Sequence, residues 1–240
     1  MTGSVILLPC GLAAGSALAT LPAATLATAR QTAHVLAENA KSARAFLKEI
    51  GHPRPISELH LVEIGHAPAA KAIDGWLAPA LAGSDIAIVS EAGCPGVADP
   101  GATIVARAHA LGLRVQPLTG PSSLLLALMA AGGNGPRFRF VGYVPQDSVQ
   151  RAKALRELEA AARGGETQLF IETPYRNDKL FDAIVATCAP STLLSLAVDL
   201  TATGELIATH TIAQWRALAA ADRPQLNKRP TVFTLPGAIR

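Results

Sequence analysis

Residues 86–101 read Ile86-Ala-Ile-Val-Ser-Glu-Ala-Gly-Cys-Pro-Gly-Val-Ala-Asp-Pro-Gly101. The apolar start predicts a buried strand, and the glycines and prolines after it predict a loop whose backbone can approach a ligand closely. A second strand is predicted at residues 113–118, and Thr119-Gly-Pro-Ser-Ser123 then opens a helix. Pro121 suits the first helical turn, whose free N–H groups suit a carboxylate or phosphate. Two strand ends that open into such loops predict a binding crevice in an α/β protein.

The composition indicates a folded α/β chain with an aliphatic core. Of the 240 residues, 50% are hydrophobic and 16% charged, which excludes a disordered chain, and only 4% are aromatic. The longest apolar run, residues 124–131, is too short to span a membrane, and no secretory signal is expected before Arg30. Three dispersed cysteines without a Cys-x-x-Cys pair predict a reducing cytoplasm and neither a zinc site nor a disulfide scaffold.

The first half of the chain alternates strand and helix patterns. This alternation predicts a parallel sheet with right-handed crossovers. The predicted strands are residues 5–8, 34–37, 59–64, 85–89 and 113–118, and the predicted helices are 17–31 (interrupted at Pro22), 41–50, 67–81 and 103–110.

The second half has a different pattern and predicts a mixed sheet. Two of its strands are expected to be antiparallel because they are joined tightly around Thr203-Gly204. The predicted strands are residues 138–144, 167–172, 192–200, 206–212 and 231–235, and the helices are 148–163, 176–186 and 213–221. We therefore expect two α/β domains, residues 1–120 and 121–240.

Several polar residues follow predicted strands and could form a site. Glu38 follows one strand and His66 the next, although a lone histidine is more often structural. Lys41 and Arg44 share one helical face, which is either a solvated surface or a phosphate contact. Glu172 is either a ligand contact or a solvated loop acid. No catalytic triad, P-loop or Gly-x-Gly-x-x-Gly fingerprint is present, which argues against a Rossmann-like dehydrogenase.

The segment 90–101, followed by Pro117-Leu-Thr-Gly-Pro-Ser-Ser123, resembles the tetrapyrrole methylase superfamily of S-adenosylmethionine (AdoMet) methyltransferases. Within it the chain is most similar to the RsmI-like branch, which methylates a ribose 2′-OH of small-subunit ribosomal RNA. Residues 38–44, 140–145 with Arg151, and 170–173 resemble further motifs of that branch. The chain departs from the branch at Glu91 and Cys94, where the family has Asp and Thr, and at Ala202, where it has Lys.

The resemblance implies two α/β domains with AdoMet in a cleft between them, a homodimer, and no metal. Glu38, Asp99 and His66 are the candidates for a base that removes the ribose proton. Lys41, Arg44 and Arg151 are the candidates for RNA binding. The residues expected to bind the cofactor are Gly93, Cys94, Pro95, Val97, Ala98, Ser122, Ser123, Glu172, Thr173, Pro230 and Thr231.

Two alternative functions stay open at this point. The chain could methylate carbon atoms of a tetrapyrrole (porphyrin or corrin precursor), as other branches of the superfamily do. It could also be a non-catalytic AdoMet-binding protein, because several motifs depart from the family pattern. The basic clusters and the spacing within residues 90–101 favour RNA.

Overall fold

The structure is a computed structural model that describes residues 2–239. The chain divides into two compact units, Met1–Ser122 and Ser123–Arg240. The predicted division into domains of residues 1–120 and 121–240 stays a prediction. No helix within residues 2–239 is long and apolar enough to cross a membrane.

The first unit contains a five-stranded sheet in the order β3-β2-β4-β1-β5, and all four strand pairs are parallel. The apolar runs that predicted strands do form them, so the parallel sheet is confirmed. The strands are β1 (Ser4–Leu7), β2 (His34–Ala37), β3 (His60–Glu63), β4 (Ile86–Val89) and β5 (Arg114–Pro117).

Helices cover both faces of this first sheet. On one face α1 (Ala17–Thr20), α2 (Ala23–Gln31) and α3 (Ala40–Glu49) bury side chains such as Leu26 and Leu47. On the other face α4 (Ile73–Leu81) and α5 (Ala102–Ala110) bury Leu77 and Ile104. The helix after β1 and the helix after β4 therefore lie on opposite faces, although β1 and β4 are neighbours. Ligands of α/β sheets bind beside such a switch point, at the carboxyl ends of the strands.

Three helix predictions need correction. The helix predicted over residues 67–81 begins only with a 3-10 turn at Ala70–Ala72, because Pro68 disfavours helical geometry in the residue before it. The helix predicted over residues 213–221 ends at Ala217, and Leu218 is extended (φ −62°, ψ 133°). The third helix, which was predicted to include Pro121 in its first turn, begins only at Ser123.

The second unit contains a mixed sheet in the order β6-β7-β10-β8-β9. Strands β6 and β7 are parallel, and the other pairs are antiparallel, including β8 with β9 as predicted. The strands are β6 (Phe138–Tyr143), β7 (Thr167–Ile171), β8 (Leu193–Val198), β9 (Leu206–Thr211) and β10 (Thr231–Leu235), and the helices are α6 (Ser123–Ala131), α7 (Ser148–Arg163), α8 (Asn177–Thr187) and α9 (Ile212–Ala217).

This strand arrangement gathers several predicted residues at one edge of the second sheet. Strands β7 and β8 both run antiparallel to β10, so their carboxyl ends meet the amino end of β10. Thr231 pairs with Val198, and Val232 pairs with Ile171. The core beneath them is apolar and includes the stacked rings of Phe170 and Phe233.

Candidate functional site

Glu38 is the centre of a polar cluster at the carboxyl edge of the first sheet. It directly follows β2 and is 5% exposed. Its Oε1 lies 2.6 Å from Nδ1 of His66, and its Oε2 accepts a hydrogen bond from the Glu91 N–H at 3.0 Å. The His66 side chain is itself 81% exposed. A buried carboxylate thus orients an imidazole that solvent and ligands can reach.

Asp99 belongs to the same cluster. Burial, and then the negative charge of Glu38, raise the pKa of its carboxyl to about 7, and the Ser90 side chain offsets part of that rise. The charge of His66 also acts on Asp99. The structure therefore brings together the three residues predicted as candidate bases. A carboxyl with a pKa near neutrality can exchange a proton at physiological pH.

The raised pKa of Asp99 predicts a pH-dependent stability. Because the pKa in the folded state lies above the ordinary aspartate pKa of about 3.9, the protonated carboxyl favours the folded state, and this stability is lost as pH rises through about 7. Solvent screening reduces the effect, so Asp99→Asn should gain about 1–2 kcal/mol over wild type between about pH 4 and about pH 8. Urea unfolding across this range measures the difference. A constant difference between the two proteins would contradict the assignment.

The loop between β4 and α5 has the unusual backbone that its glycines predict. Gly93, Gly96 and Gly101 have φ angles of +69°, +82° and +137°, and Ala98 has +64°. The Cys10 N–H donates to the Gly93 carbonyl at 2.9 Å, which ties this loop to the end of β1. The loop is therefore held at the switch point between β1 and β4.

The loop after β5 lies against the same loop, as the paired strand ends predicted. The Cys94 thiol donates to the Pro121 carbonyl at 3.4 Å. The prediction that Pro121 starts a helix is wrong, because α6 begins at Ser123 and the Pro121 carbonyl is held by this contact. Ser122 lies at the boundary, half-buried. Of the predicted cofactor residues in the loop between β4 and α5, Gly93 and Pro95 are buried, whereas Val97 and Ala98 are exposed.

Four predicted cofactor residues of the second unit, Glu172, Thr173, Pro230 and Thr231, lie where the carboxyl end of β7 meets the amino end of β10. Glu172 follows β7 and is buried, and its Oε1 accepts from the Thr173 N–H and from Nη2 of Arg176, both at 2.7 Å. The Thr231 hydroxyl donates to the Arg229 carbonyl at 3.0 Å. Oε2 of Glu172 accepts no hydrogen bond from any described residue, so it is available to a ligand.

Two arginines at this second edge were not predicted to be site residues from the sequence. Arg176 pairs with Glu172, and the i, i+4 spacing of the two residues was the available signal. Arg229 donates from Nε to Oδ2 of Asp199 at 2.6 Å and from Nη2 to the Gly204 carbonyl at 2.6 Å. It therefore fastens the segment before Pro230 to the end of β8, a long-range contact without a local signal.

The predicted RNA-binding residues lie on two helices. Lys41 and Arg44 are exposed on α3, whose amino end is capped by Asn39. Arg151 is half-buried on α7, and its Nη1 donates to the Gln146 carbonyl at 3.3 Å. Nε of Arg151 is buried without a partner among the described residues, so this guanidinium keeps an unused donor.

A cavity of about 500 Å³ lies at the opposite, amino edge of the first sheet. Its lining includes His34 and His60, whose rings stack at 4.7 Å, and none of the predicted site residues. Burial and the neighbouring His60 lower the pKa of His34. The polar cluster and the two loops, and not this cavity, are the candidate site.

The cysteines and acidic groups show no metal centre. No group of three or more His, Cys, Asp or Glu residues within residues 2–239 could hold a metal ion. All three cysteines have free thiols, and burial is the main cause of the raised pKa of each.

Comparison with known proteins gives consistent results. Residues 13–215 match the family described as Tetrapyrrole (Corrin/Porphyrin) Methylases. A Xylella fastidiosa protein named ribosomal RNA small subunit methyltransferase I is 30% identical over 87% of this chain and 73% of its own length. The protein of the same name from Escherichia coli O157:H7 is 35% identical over 72% of this chain, but the match spans only 58% of that relative.

The crystal structure of the methyltransferase CobJ has a similar fold. It superposes with a TM-score of 0.66 over 100% of this chain and 96% of that one, at 19% sequence identity. At this identity the likeness concerns the fold alone.

Proposed function

Because the chain belongs to the tetrapyrrole (corrin/porphyrin) methylase family, we propose that it transfers the methyl group of AdoMet to RNA. The proposed acceptor is a ribose 2′-OH of small-subunit ribosomal RNA. The names of the relatives support the RNA substrate. The observation that carries the chemistry is the cluster of Glu38, His66 and Asp99 beside the two loops of the first sheet.

The residues at both sheet edges fit AdoMet, whose bound form supplies an electrophilic methyl group on a sulfonium. The loop containing Val97 and Ala98 offers an exposed, left-handed backbone that a polar ligand can approach. In the second unit, Oε2 of Glu172 is a free acceptor for hydroxyl or ammonium groups. We propose that the cofactor residues named from the sequence bind it through these groups.

We propose that His66 removes the proton of the ribose hydroxyl. Its Nδ1 lies 2.6 Å from Oε1 of Glu38, and in the tautomer that donates this hydrogen bond Nε2 carries the free lone pair. The ring is exposed and can therefore reach a hydroxyl. The charges of Glu38 and His66 act on Asp99, so its carboxyl lies near this pair. When that carboxyl is ionised, it can receive the proton from His66. Holding the bound cofactor and the ribose in the orientation that the transfer needs would supply much of the remaining acceleration.

We propose that Lys41, Arg44 and Arg151 hold phosphates of the RNA. The first two are exposed cations on one face of α3, and the third has an unused buried donor. Phosphate contacts of this kind fix the orientation of a nucleic acid without reading its sequence. A porphyrin precursor also carries carboxylates, which these cations could bind. The cations therefore favour RNA only in combination with the names of the relatives.

We further propose a cytoplasmic homodimer. Three free cysteines suit a reducing compartment. Leu125 and Met129 lie one turn apart on α6, and both side chains are exposed although apolar. An exposed apolar surface suits a second copy of the chain. Light scattering at micromolar concentration distinguishes a dimer from a monomer.

Binding of AdoMet at one site per chain is the first expected result. At about a hundredfold excess over the dissociation constant, AdoMet should add about 2.7 kcal/mol to the apparent unfolding free energy. Isothermal calorimetry measures the stoichiometry. Binding of neither AdoMet nor its demethylated product would refute the cofactor.

A pair of glycine variants tests whether AdoMet binds at the loop between β4 and α5. Gly93→Ala should weaken AdoMet binding about tenfold or more, because φ is +69° and the new methyl would lie 3.0 Å from Leu12. Gly112→Ala carries the same backbone strain at φ +70° with open space around it. It lies in the turn between α5 and β5 and should bind AdoMet like wild type.

A further inference from the structure

The two tyrosines of this chain are more exposed than its other large aromatic residues. Tyr143 and Tyr175 are the only two, and they are 57% and 73% exposed. Phe170, Phe233 and Trp215 are by contrast fully buried in the core of the second unit. Phe138, at the amino end of β6, is 44% exposed, so the two tyrosines are the exposed aromatic residues at the other end of the sheet within residues 2–239.

Both tyrosines lie at the carboxyl edge of the second sheet. Tyr143 is the last residue of β6, and it pairs with Ile171, the last residue of the parallel neighbour β7. Tyr175 lies in the 3-10 turn Pro174–Arg176, which is separated from the end of β7 by two residues, Glu172 and Thr173. Strands β6 and β7 are neighbours, and neighbouring strands are about 4.8 Å apart. The two tyrosines therefore lie at or just beyond adjacent strand ends.

The backbone beneath each ring is fixed. Gly142 has a φ of +76°, and the β6–β7 register shifts between Phe140 and Tyr143, so a bulge redirects the strand end. On the other side, the Lys228 N–H donates to the Pro174 carbonyl at 2.9 Å. The ion pair of Arg176 with buried Glu172 holds the same turn. Rigid backbones with exposed rings lose little conformational entropy when a flat partner stacks on them.

The charges near these rings suit a nucleic acid. Arg176 lies next to Tyr175 in the chain, and Lys179 is exposed one turn further along α8. Lys153 and Arg156 are exposed on α7, which follows β6. Aromatic rings beside cationic groups are the usual arrangement for unpaired bases, because each base offers a flat face and each nucleotide a phosphate. Paired bases inside a duplex do not offer those faces.

We propose that Tyr143 and Tyr175 form a stacking platform for unpaired bases of the RNA substrate. This inference rests on the proposed RNA substrate and specifies its form: a single-stranded or looped segment instead of a regular helix. The rings recognise the flat face of a base, and the surrounding cations neutralise its phosphates.

Fluorescence anisotropy with labelled single-stranded RNA tests the platform. Wild type should bind oligoadenylate more tightly than an abasic oligomer of equal length, because the abasic chain keeps the phosphates and loses the bases. Tyr143→Ala and Tyr175→Ala should each weaken oligoadenylate binding about tenfold. Both should bind the abasic oligomer like wild type, while Tyr143→Phe and Tyr175→Phe should bind oligoadenylate like wild type.

Charge variants provide the matched control. Lys41→Ala and Arg44→Ala should weaken both oligomers alike and reduce the slope of log affinity against log salt by about one each. The tyrosine variants should leave this slope unchanged. AdoMet binding, measured on every variant, verifies that the fold is intact.

Two results would overturn the platform, and they differ in what else they overturn. If wild type methylates ribosomal RNA and both alanine variants do so with unchanged KM and oligomer affinity, the platform alone is wrong. If wild type neither binds the oligomers nor methylates ribosomal RNA, the proposed RNA substrate is wrong as well.

Discussion

Glu38→Gln should lower kcat for methyl transfer by about 10²- to 10⁴-fold with little change in AdoMet affinity. The Glu91 N–H needs an acceptor, so the oxygen of the new side-chain amide would take that place. The amide NH2 would then face Nδ1 of His66 and select the tautomer with a proton on Nε2. An Nε2 that already carries a proton cannot accept one from the ribose hydroxyl.

The neighbouring strand supplies a control for this variant. Glu63 is the last residue of β3, beside β2, and its Oε2 accepts from the Ala40 N–H at 2.8 Å. Because an amide oxygen can accept the same bond, Glu63→Gln should retain the kcat of wild type. Single-turnover methyl transfer compares the two variants. Equal rates for Glu38→Gln and wild type would exclude Glu38 and His66 from the chemistry.

Gly120→Ala should destabilise the first unit by about 3 kcal/mol. A methyl group there would lie 2.3 Å from Cβ and 2.4 Å from Cγ of Pro9, far inside van der Waals contact. Either the loop after β5 or the end of β1 must then move. The loop after β5 contacts the loop after β4 through Pro121 and Cys94, so AdoMet binding should weaken together with stability.

Tryptophan fluorescence during urea unfolding reports this effect for the first unit. Each unit contains one tryptophan, Trp76 in the first and Trp215 in the second. In a Trp215→Phe background, Trp76 alone follows the first unit, and the background cancels in the comparison. Gly75→Ala is the control, since it lies in α4 with no atom within 4 Å of the added methyl. It should stabilise the unit by about 0.5–1 kcal/mol. Equal midpoints for the two variants would show that the contact at Gly120 is not tight.

The strands and the positions of the two loops could be predicted from the sequence. Short apolar runs such as 86–89 are typical of buried strands, because they are too short for most helices and glycine and proline follow closely. The pairing of the loops after β4 and β5 followed from their common layout. The start of α6 was missed because the contact between Pro121 and Cys94 joins residues far apart in the chain.

The residues of the polar cluster were predicted from the sequence, but their contacts were not. Glu38 and His66 each follow a strand, but their hydrogen bond depends on β2 and β3 being neighbours, which no local pattern states. The raised pKa of Asp99 arises mainly from burial, which depends on the packed loop. Arg229 reaches Asp199 across 30 residues and had no signal at all.

Transfer of labelled methyl from AdoMet tests the proposed function most directly. Small ribosomal subunits from a strain lacking this protein and a porphyrin precursor are offered separately to the same enzyme. We expect label in the RNA, in dinucleotides that resist alkaline hydrolysis because the ribose 2′-oxygen is methylated. Label in the porphyrin precursor and none in the RNA would contradict the proposal.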